Sequence, residues 1–352
     1  MWPVYHTREA MDSSRPTEFP RTMTANQSPT PAGPPPFLTL APLQGVTEVL
    51  FRNIFARHFP GFDAAMAPFV KPQGQARFPD KLLRDILPEL NGGLPLIPQL
   101  LHNDAANFLA VADRIADLGY HEINWNLGCP APMIVRKQRG SGLLPHPELV
   151  LALLDAVVPR LRLGLSIKTR LGLHDKGELP ALLPRLDAYP LTEIIIHARL
   201  GSQLYEGRPD LDGFAACLPL TRHRLAYNGD IVDVAGFVAL QQRFPQIDRW
   251  MIGRGALADP FLPAALKGMA RPGQAERTRR IRIFHDELYA AYRERLAGPS
   301  HLLGRMKQLW AYLIASFPGR DKLLKKITKA MSEDQYRQVV EQLWEGRESA
   351  RG

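Results

Sequence analysis

Residues 123–142 read Ile-Asn-Trp-Asn-Leu-Gly-Cys-Pro-Ala-Pro-Met-Ile-Val-Arg-Lys-Gln-Arg-Gly-Ser-Gly, and the stretch changes character twice. Ile123, Trp125 and Leu127 alternate with Asn124 and Asn126, the two-residue period of a half-buried strand. Gly128-Cys129-Pro130 then stops that strand and presents a thiol at its carboxyl end. A basic loop follows, with Arg136, Lys137 and Arg139 ahead of Gly140-Ser141-Gly142. A lone cysteine is ordinarily a buried structural residue. A thiol at a strand end beside a cationic glycine loop is also the layout of a reaction centre that faces a polyanion.

Working outward, the same texture recurs. Short apolar runs at Phe37–Ala41, Ala64–Pro68, Leu96–Leu100, Glu122–Leu127, Gly164–Lys168, Glu193–His197, Arg224–Tyr227 and Arg249–Ile252 make eight strand candidates in about 215 residues. Amphipathic stretches such as Asn107–Leu118 and Pro147–Val158 lie between them, which argues for parallel βα units. Eight units over this length predict a (β/α)8 TIM barrel, for which about 250 residues is typical. A doubly wound open sheet is the alternative, but no Gly-x-Gly-x-x-Gly follows the first strand.

Residues 1–36 are rich in Pro, Ser and Thr, end in Pro34-Pro35-Pro36, and read as a disordered leader, within which Met23 is a second candidate start. It lacks the apolar segment of a signal peptide. Residues 37–272 are the expected barrel domain. From 273 to 348 the strands stop and helical periodicity runs over 275–297, 301–317 and 321–347, with breaks at Pro299 and Pro318-Gly319. That predicts a C-terminal all-helical domain of three or four helices.

The chain of 352 residues carries a net charge of +9, so attraction to a polyanion is expected, nucleic acid before a membrane surface. Cys129 and Cys217 are the two cysteines, which excludes a disulfide framework and a thiolate metal cluster and suits a reducing cytoplasm. No apolar run approaches the ~20 residues of a membrane span. There is no His-x-x-x-His and no acidic cluster, so no metal site is expected.

In a barrel, chemistry gathers at the C-terminal ends of the strands. There the sequence places Gln99, Asn126 and Cys129, Lys168 and Arg170, His197 and Arg199, Asn228-Gly229-Asp230 and Gly253-Arg254-Gly255. Glycines and an arginine after the seventh and eighth strands are what a barrel phosphate site requires, since Gly lets backbone N–H groups approach an anion and Arg can bind it bidentately. Lys168 emerges from the apolar Leu165-Ser166-Ile167, and a lysine so buried wants an anion. Arg305-Met306-Lys307 beside Leu309-Trp310 and Tyr312 mixes charge with aromatics, as a phosphate-and-base surface does.

Taken in order, Ala41-Pro42-Leu43-Gln44-Gly45-Val46-Thr47 with Arg52, Gln99, Asn126-Leu127-Gly128-Cys129-Pro130, Lys168-Thr169-Arg170, His197-Ala198-Arg199, Tyr227-Asn228-Gly229-Asp230 and Gly253-Arg254-Gly255-Ala256 resemble the tRNA-dihydrouridine synthase family. Leu43 replaces the family's usual Met, and Ala198 its usual Gly. Arg305-Met306-Lys307-Gln308 resembles the branch that acts on uridine 16 of the D-loop.

The resemblance implies FMN as cofactor, NADPH as electron donor and tRNA as partner; a monomer is the expected state. It implies reduction of the uracil C5–C6 bond, with hydride from FMN N5 to C6 and a proton from Cys129 to C5. It assigns Lys168 to the flavin N1/O2 edge, Gln99 to the flavin ring, and Pro42, Leu43 and Gln44 to its frame. His197, Tyr227, Asn228, Gly229, Gly253 and Arg254 would hold ribityl and phosphate, and Asn126 the target uracil. Lys71, Tyr205, Arg305, Lys307 and Tyr312 are the candidate tRNA contacts, with Lys325, Lys326 and Lys329 beyond them. Arg136, Lys137 and Arg139 would form a mobile flap over the base. Two alternatives stay open on sequence alone: an FMN barrel oxidoreductase acting on a small enone or pyrimidine, and a catalytically inactive tRNA-binding protein on the same scaffold.

Overall fold

The computed structural model describes residues 35–70 and 82–345. Lys71, residues 1–34 of the leader and residues 346–348 lie outside the described residues.

Among the described residues nine parallel strands form the sheet: β1 (Phe37–Leu40), β2 (Ala64–Met66), β3 (Leu96–Ile97), β4 (Gln99–Leu100), β5 (Glu122–Leu127), β6 (Gly164–Gly172), β7 (Leu191–Leu200), β8 (Leu225–Asn228) and β9 (Arg249–Ile252). Their spatial order is β3-β2-β1-β9-β8-β7-β6-β5-β4. The two edges, β3 and β4, flank Pro98, which has no N–H to give a ladder. The sheet therefore closes through one stave broken at a proline, and the eight expected staves stand as a TIM barrel.

Strand β5 is buried on both faces, not one. Ile123, Trp125 and Leu127 pack outward among the helices, while Asn124 and Asn126 are buried too, inside the barrel. The polar half of the alternation faces the interior. Strands β6 and β7 also run longer than their apolar cores, to Gly172 and Leu200, because Lys168, Arg170, His197 and Arg199 continue the inward-facing series. Beneath them Ala41, Met66, Ile195, Ala226 and Met251 form a small apolar plug.

Helices α1 (Val49–His58), α2 (Ala105–Asp117), α3 (Pro132–Val135), α4 (Pro147–Val157), α5 (Glu178–Leu186), α6 (Leu211–Cys217), α7 (Val234–Arg243), α8 (Arg254–Ala258) and α9 (Leu262–Leu266) follow the strands in turn. Then come α10 (Gln274–Arg295), α11 (Pro299–Leu313), α12 (Asp321–Lys329) and α13 (Glu333–Trp344). The periodicity of 321–347 thus resolves into two helices, split where Ser332 N-caps α13 by accepting from the Gln335 N–H. Phe284 of α10 meets Phe51, Phe55 and Phe59 of α1 and its end edge-on, an aromatic joint between the helical region and the barrel. Among the described residues no single helix is long and apolar enough to cross a membrane.

Candidate active site

The barrel mouth is built from inward positions of β5 to β9. Register sets Asn126 beside Lys168, Arg170 beside His197, and His197 beside Asn228. From the floor of this layer a hydrogen-bonded chain rises to the thiol. Asn124 Nδ2 donates to Ser166 Oγ (3.0 Å), Gln99 Nε2 to Asn124 Oδ1 (2.8 Å), and Asn126 Nδ2 to Gln99 Oε1 (2.8 Å). Asn126 Oδ1 in turn accepts the backbone N–H of Gly128 (3.0 Å) and Cys129 (2.8 Å). Asn126 closes an Asx turn that fixes where the thiol begins. Asn126 thus holds the Cys129 turn through Oδ1, and its Nδ2 gives one of its two hydrogens to Gln99. Gln99, expected at the cofactor ring, is likewise engaged at both ends, since its Nε2 also lies 3.1 Å from Met66 Sδ.

The mouth carries an excess of positive charge. Burial, then the neighbouring Arg170, pushes the Lys168 ammonium down to about 7, and the Cys129 side chain pulls in the other direction. Burial likewise brings Arg170 down to about 10. His197 is held well below its ordinary range by burial and by Arg170, Lys168, Arg199 and Arg254 around it, so its imidazole is neutral. Arg199 Nη1 donates to His197 Nε2 (3.2 Å), which leaves the ring proton on Nδ1. Among the described residues Asp230 is the carboxylate that pairs with this group. Burial would raise it, but hydrogen bonds from Arg199 and Arg254 outweigh that and hold it below the usual range. Arg254 Nη2 donates to Asp230 Oδ1 at 2.7 Å. Three arginines and a lysine that readily gives up its proton face one carboxylate among the described residues, an excess of positive charge that a bound anion would offset.

Packing requires glycine in the turns after β8 and β9. A Cβ on Gly229 would lie 2.4 Å from the Tyr227 hydroxyl, and one on Gly253 would press on Ala41 and Leu43 at 3.3 and 3.4 Å. Gly253 leads directly into the short helix α8, the usual seat of a barrel phosphate. Asn228 Nδ2 steadies this edge by donating to the Met251 carbonyl (2.9 Å). Opposite, Pro42 and Leu43 are half-buried and Gln44 is exposed. Thr47 Oγ1 accepts from the Leu43 N–H at 2.8 Å, and the buried Arg52 donates to the Thr47 carbonyl (2.7 Å) and Asp85 Oδ2 (2.8 Å).

The remaining expected residues divide. Tyr205 joins the mouth, its ring under the Arg170 and Arg254 guanidinium groups at 5.2 and 5.5 Å. Tyr312 comes to the same rim from α11, near enough to Tyr205 and Arg254 to feel both. Tyr227 does not join. One position out of phase with Asn228, it faces outward and packs against Phe214 and Trp250. Arg305 is not free for a ligand either: its Nη1 donates to the Gly45 carbonyl and its Nη2 pairs with Glu48 at 2.9 Å, joining α11 to the loop after β1. Lys307 Nζ donates to the Ala330 carbonyl at the end of α12, where a cation complements the helix dipole. The loop after Cys129, expected as a flap, is hydrogen-bonded to the turn after β4.

Arg170, Arg199 and Asp230, to which the sequence assigned no role, stand in the mouth beside Lys168, His197 and Arg254. The alternation that marks Lys168 and His197 as inward marks Arg170 and Arg199 as inward too. Cys217, by contrast, is buried at the end of α6, its Sγ 3.3 Å from the Gly213 carbonyl and its thiol pushed up to about 12 by burial.

A parallel eight-stave barrel with a cationic, glycine-turned mouth and a thiol on its wall defines a barrel enzyme built for an anionic cofactor. The chain belongs to the dihydrouridine synthase family, whose model matches residues 39–344. It is 34% identical over 255 residues to a probable tRNA-dihydrouridine synthase of Rhodobacter capsulatus, covering 68% of this chain and 74% of that one. It is 30% identical over 315 residues to the tRNA-dihydrouridine(16) synthase of Ralstonia nicotianae, covering 86% of this chain and 95% of that one. A solved morphinone reductase superposes on 68% of this chain and 87% of its own with a TM-score of 0.45 at 14% identity, a likeness too slight to add to the argument. Membership makes the chain a flavin-dependent oxidoreductase.

Proposed function

We propose that this protein reduces a D-loop uridine of tRNA, uridine 16, to 5,6-dihydrouridine, with FMN as cofactor and NADPH as electron donor. The observation that carries this is the excess of positive charge at the mouth: a half-buried lysine without a carboxylate partner among the described residues, near a thiol in the turn that follows the neighbouring strand. The names of several relatives, including that of Ralstonia nicotianae, support position 16.

The donor set fits the cofactor. Arg254 and the backbone at Gly229 and Gly253 suit a phosphate, and the neutral His197 offers Nδ1–H as a donor beside it. Lys168 would supply positive charge where a reduced flavin ring would carry negative charge, and that negative charge would in turn favour the protonated lysine. When bound, the reduced flavin supplies hydride to C6 of the uracil. Cys129 then delivers a proton to C5, and a thiol suits the acid role because its ordinary value near ~8.5 keeps it protonated at neutral pH. Lys168 lies close enough to Cys129 to favour the thiolate left behind. A base inside folded tRNA must leave its stack to reach this mouth, at a cost on the order of a few kcal/mol. Tyr205 and Tyr312 at the rim offer aromatic faces to it.

Purified protein is expected to be yellow, to be bleached by NADPH, and to recover its colour on addition of unmodified tRNA, with dihydrouridine found at position 16 by mass spectrometry. Colourless protein that binds no FMN, or dihydrouridine placed elsewhere, would refute the cofactor or the position respectively.

A further inference from the structure

The 136–142 loop is fastened at several points. Asn103, exposed in the turn after β4, gives its whole side chain to it. Its Nδ2 donates to the carbonyls of Lys137 (3.0 Å) and Gln138 (3.1 Å), and its Oδ1 accepts from Arg139 Nε (2.9 Å). Arg139 Nη2 lies 2.9 Å from His102 Nε2, and the His102 carbonyl accepts from Trp125 Nε1 at 3.0 Å. Trp125 belongs to β5, the strand that ends in Cys129. Between these ties Gln138 sits at φ +49°, a left-handed conformation that costs a non-glycine residue about 1–2 kcal/mol and persists where its surroundings enforce it.

What the loop touches next is the cysteine. Gly140 is at φ +56°, and a Cβ there would stand 2.5 Å from the Cys129 carbonyl oxygen and 2.9 Å from its Cβ. Ser141 donates to that carbonyl from both its N–H (3.0 Å) and its Oγ (3.1 Å). The Cys129 backbone is therefore held from below by Asn126 and from the side by Gly140 and Ser141, and the second hold is as firm as the loop's own anchorage.

We propose that Asn103 and Arg139 are positioning residues that clamp the 136–142 loop as a fixed wall behind Cys129, so that the loop sets where the thiol stands and does not open and close over the base. Arg139 then acts through a forked contact that lysine cannot copy, although lysine would keep the charge for a phosphate. The proposal rests on the role given above to Cys129, yet it predicts a chemical property of the thiol that needs no turnover.

The test compares full-length flavin-loaded wild type with Asn103→Ala, Arg139→Lys and the double variant. Cys129 alkylation by iodoacetamide is followed by peptide mass spectrometry, with buried Cys217 as internal control, and kcat and KM for tRNA are measured in parallel. Each single variant is expected to alkylate Cys129 several-fold faster and to lose kcat about tenfold, the effect of one lost hydrogen bond at its upper range. The KM for tRNA and the flavin content should stay within about twofold, and the double variant should be no worse than either single one, as members of one unit behave. Strictly additive losses, or Arg139→Lys matching wild type in alkylation and kcat, would overturn the clamp. So would a raised KM with unchanged alkylation, the mark of a tRNA contact. If wild type forms no dihydrouridine the functional reading fails, and the alkylation rates still decide the clamp.

Discussion

The two ends of the barrel both bury titratable groups with displaced proton affinities, yet they have opposite organisation. At the floor, near the start of β7, burial pushes the Glu193 carboxyl up to about 7. Its surroundings are mixed in sign: Arg249 at 3.3 Å and Arg224 oppose the rise, Glu122 and Asp248 add to it. At the mouth Lys168 is brought down to about 7, and its neighbours Arg170, Arg199 and Arg254 share its sign against the single Asp230. Displacement alone would rank the two ends equally. What separates them is convergence, since one end is internally compensated and the other is short of an anion. Floor positions of such barrels serve stability and mouth positions serve chemistry.

Replacing Lys168 with Met tests the mouth and carries the largest expected effect. Loss of a preorganised charge at the reacting centre should lower kcat by about 10²–10³. The same variant should gain stability in the flavin-free protein. An unfolded lysine keeps its proton to about pH 10 while the folded Lys168 releases it at about 7, so wild-type stability rises across that window. Urea titrations from pH 6 to 10 should show that slope in wild type and a flatter line in the variant.

Glu193→Gln should do the converse, leaving kcat, KM and flavin content unchanged. In wild type the unfolded carboxyl ionises near pH 4.3 and the folded one near 7, so stability falls as pH climbs through that interval and is level above it. Removing the carboxylate should recover on the order of 3 kcal/mol at pH 8 and almost nothing at pH 4. A loss of activity in this variant would break the contrast between the ends.

Arg305→Ala probes the tie between α11 and the loop after β1, and its effect should be smallest, about 1 kcal/mol of stability, seen as a lowered Tm. Flavin retention should weaken slightly, because the Gly45 loop continues from Pro42 and Leu43.

Much of this was legible in the sequence. The bounds of Glu122–Leu127 and Arg249–Ile252 came directly from apolar runs, and all eight staves could be located. Tyr227 could have been excluded by the same two-residue period that places Asn228 inward. Strands β6 and β7 looked too short because Lys168, Arg170, His197 and Arg199 resemble loop residues until a barrel interior receives them. The Asn103–Arg139 contact spans 36 residues, and Lys307 finds its acceptor 23 residues on, at the end of another helix; neither leaves a local pattern.

The central claim is that Cys129 gives the proton while the cationic mouth holds the cofactor. It is met most directly by following re-oxidation of the reduced flavin by unmodified tRNA in Cys129→Ala, under anaerobic conditions. The variant is expected to keep its full flavin spectrum and its reduction by NADPH, while its reduced flavin is re-oxidised by tRNA at least ~10²-fold more slowly than in wild type. Re-oxidation at the wild-type rate would contradict it, and loss of the flavin from the variant would return Cys129 to a structural role.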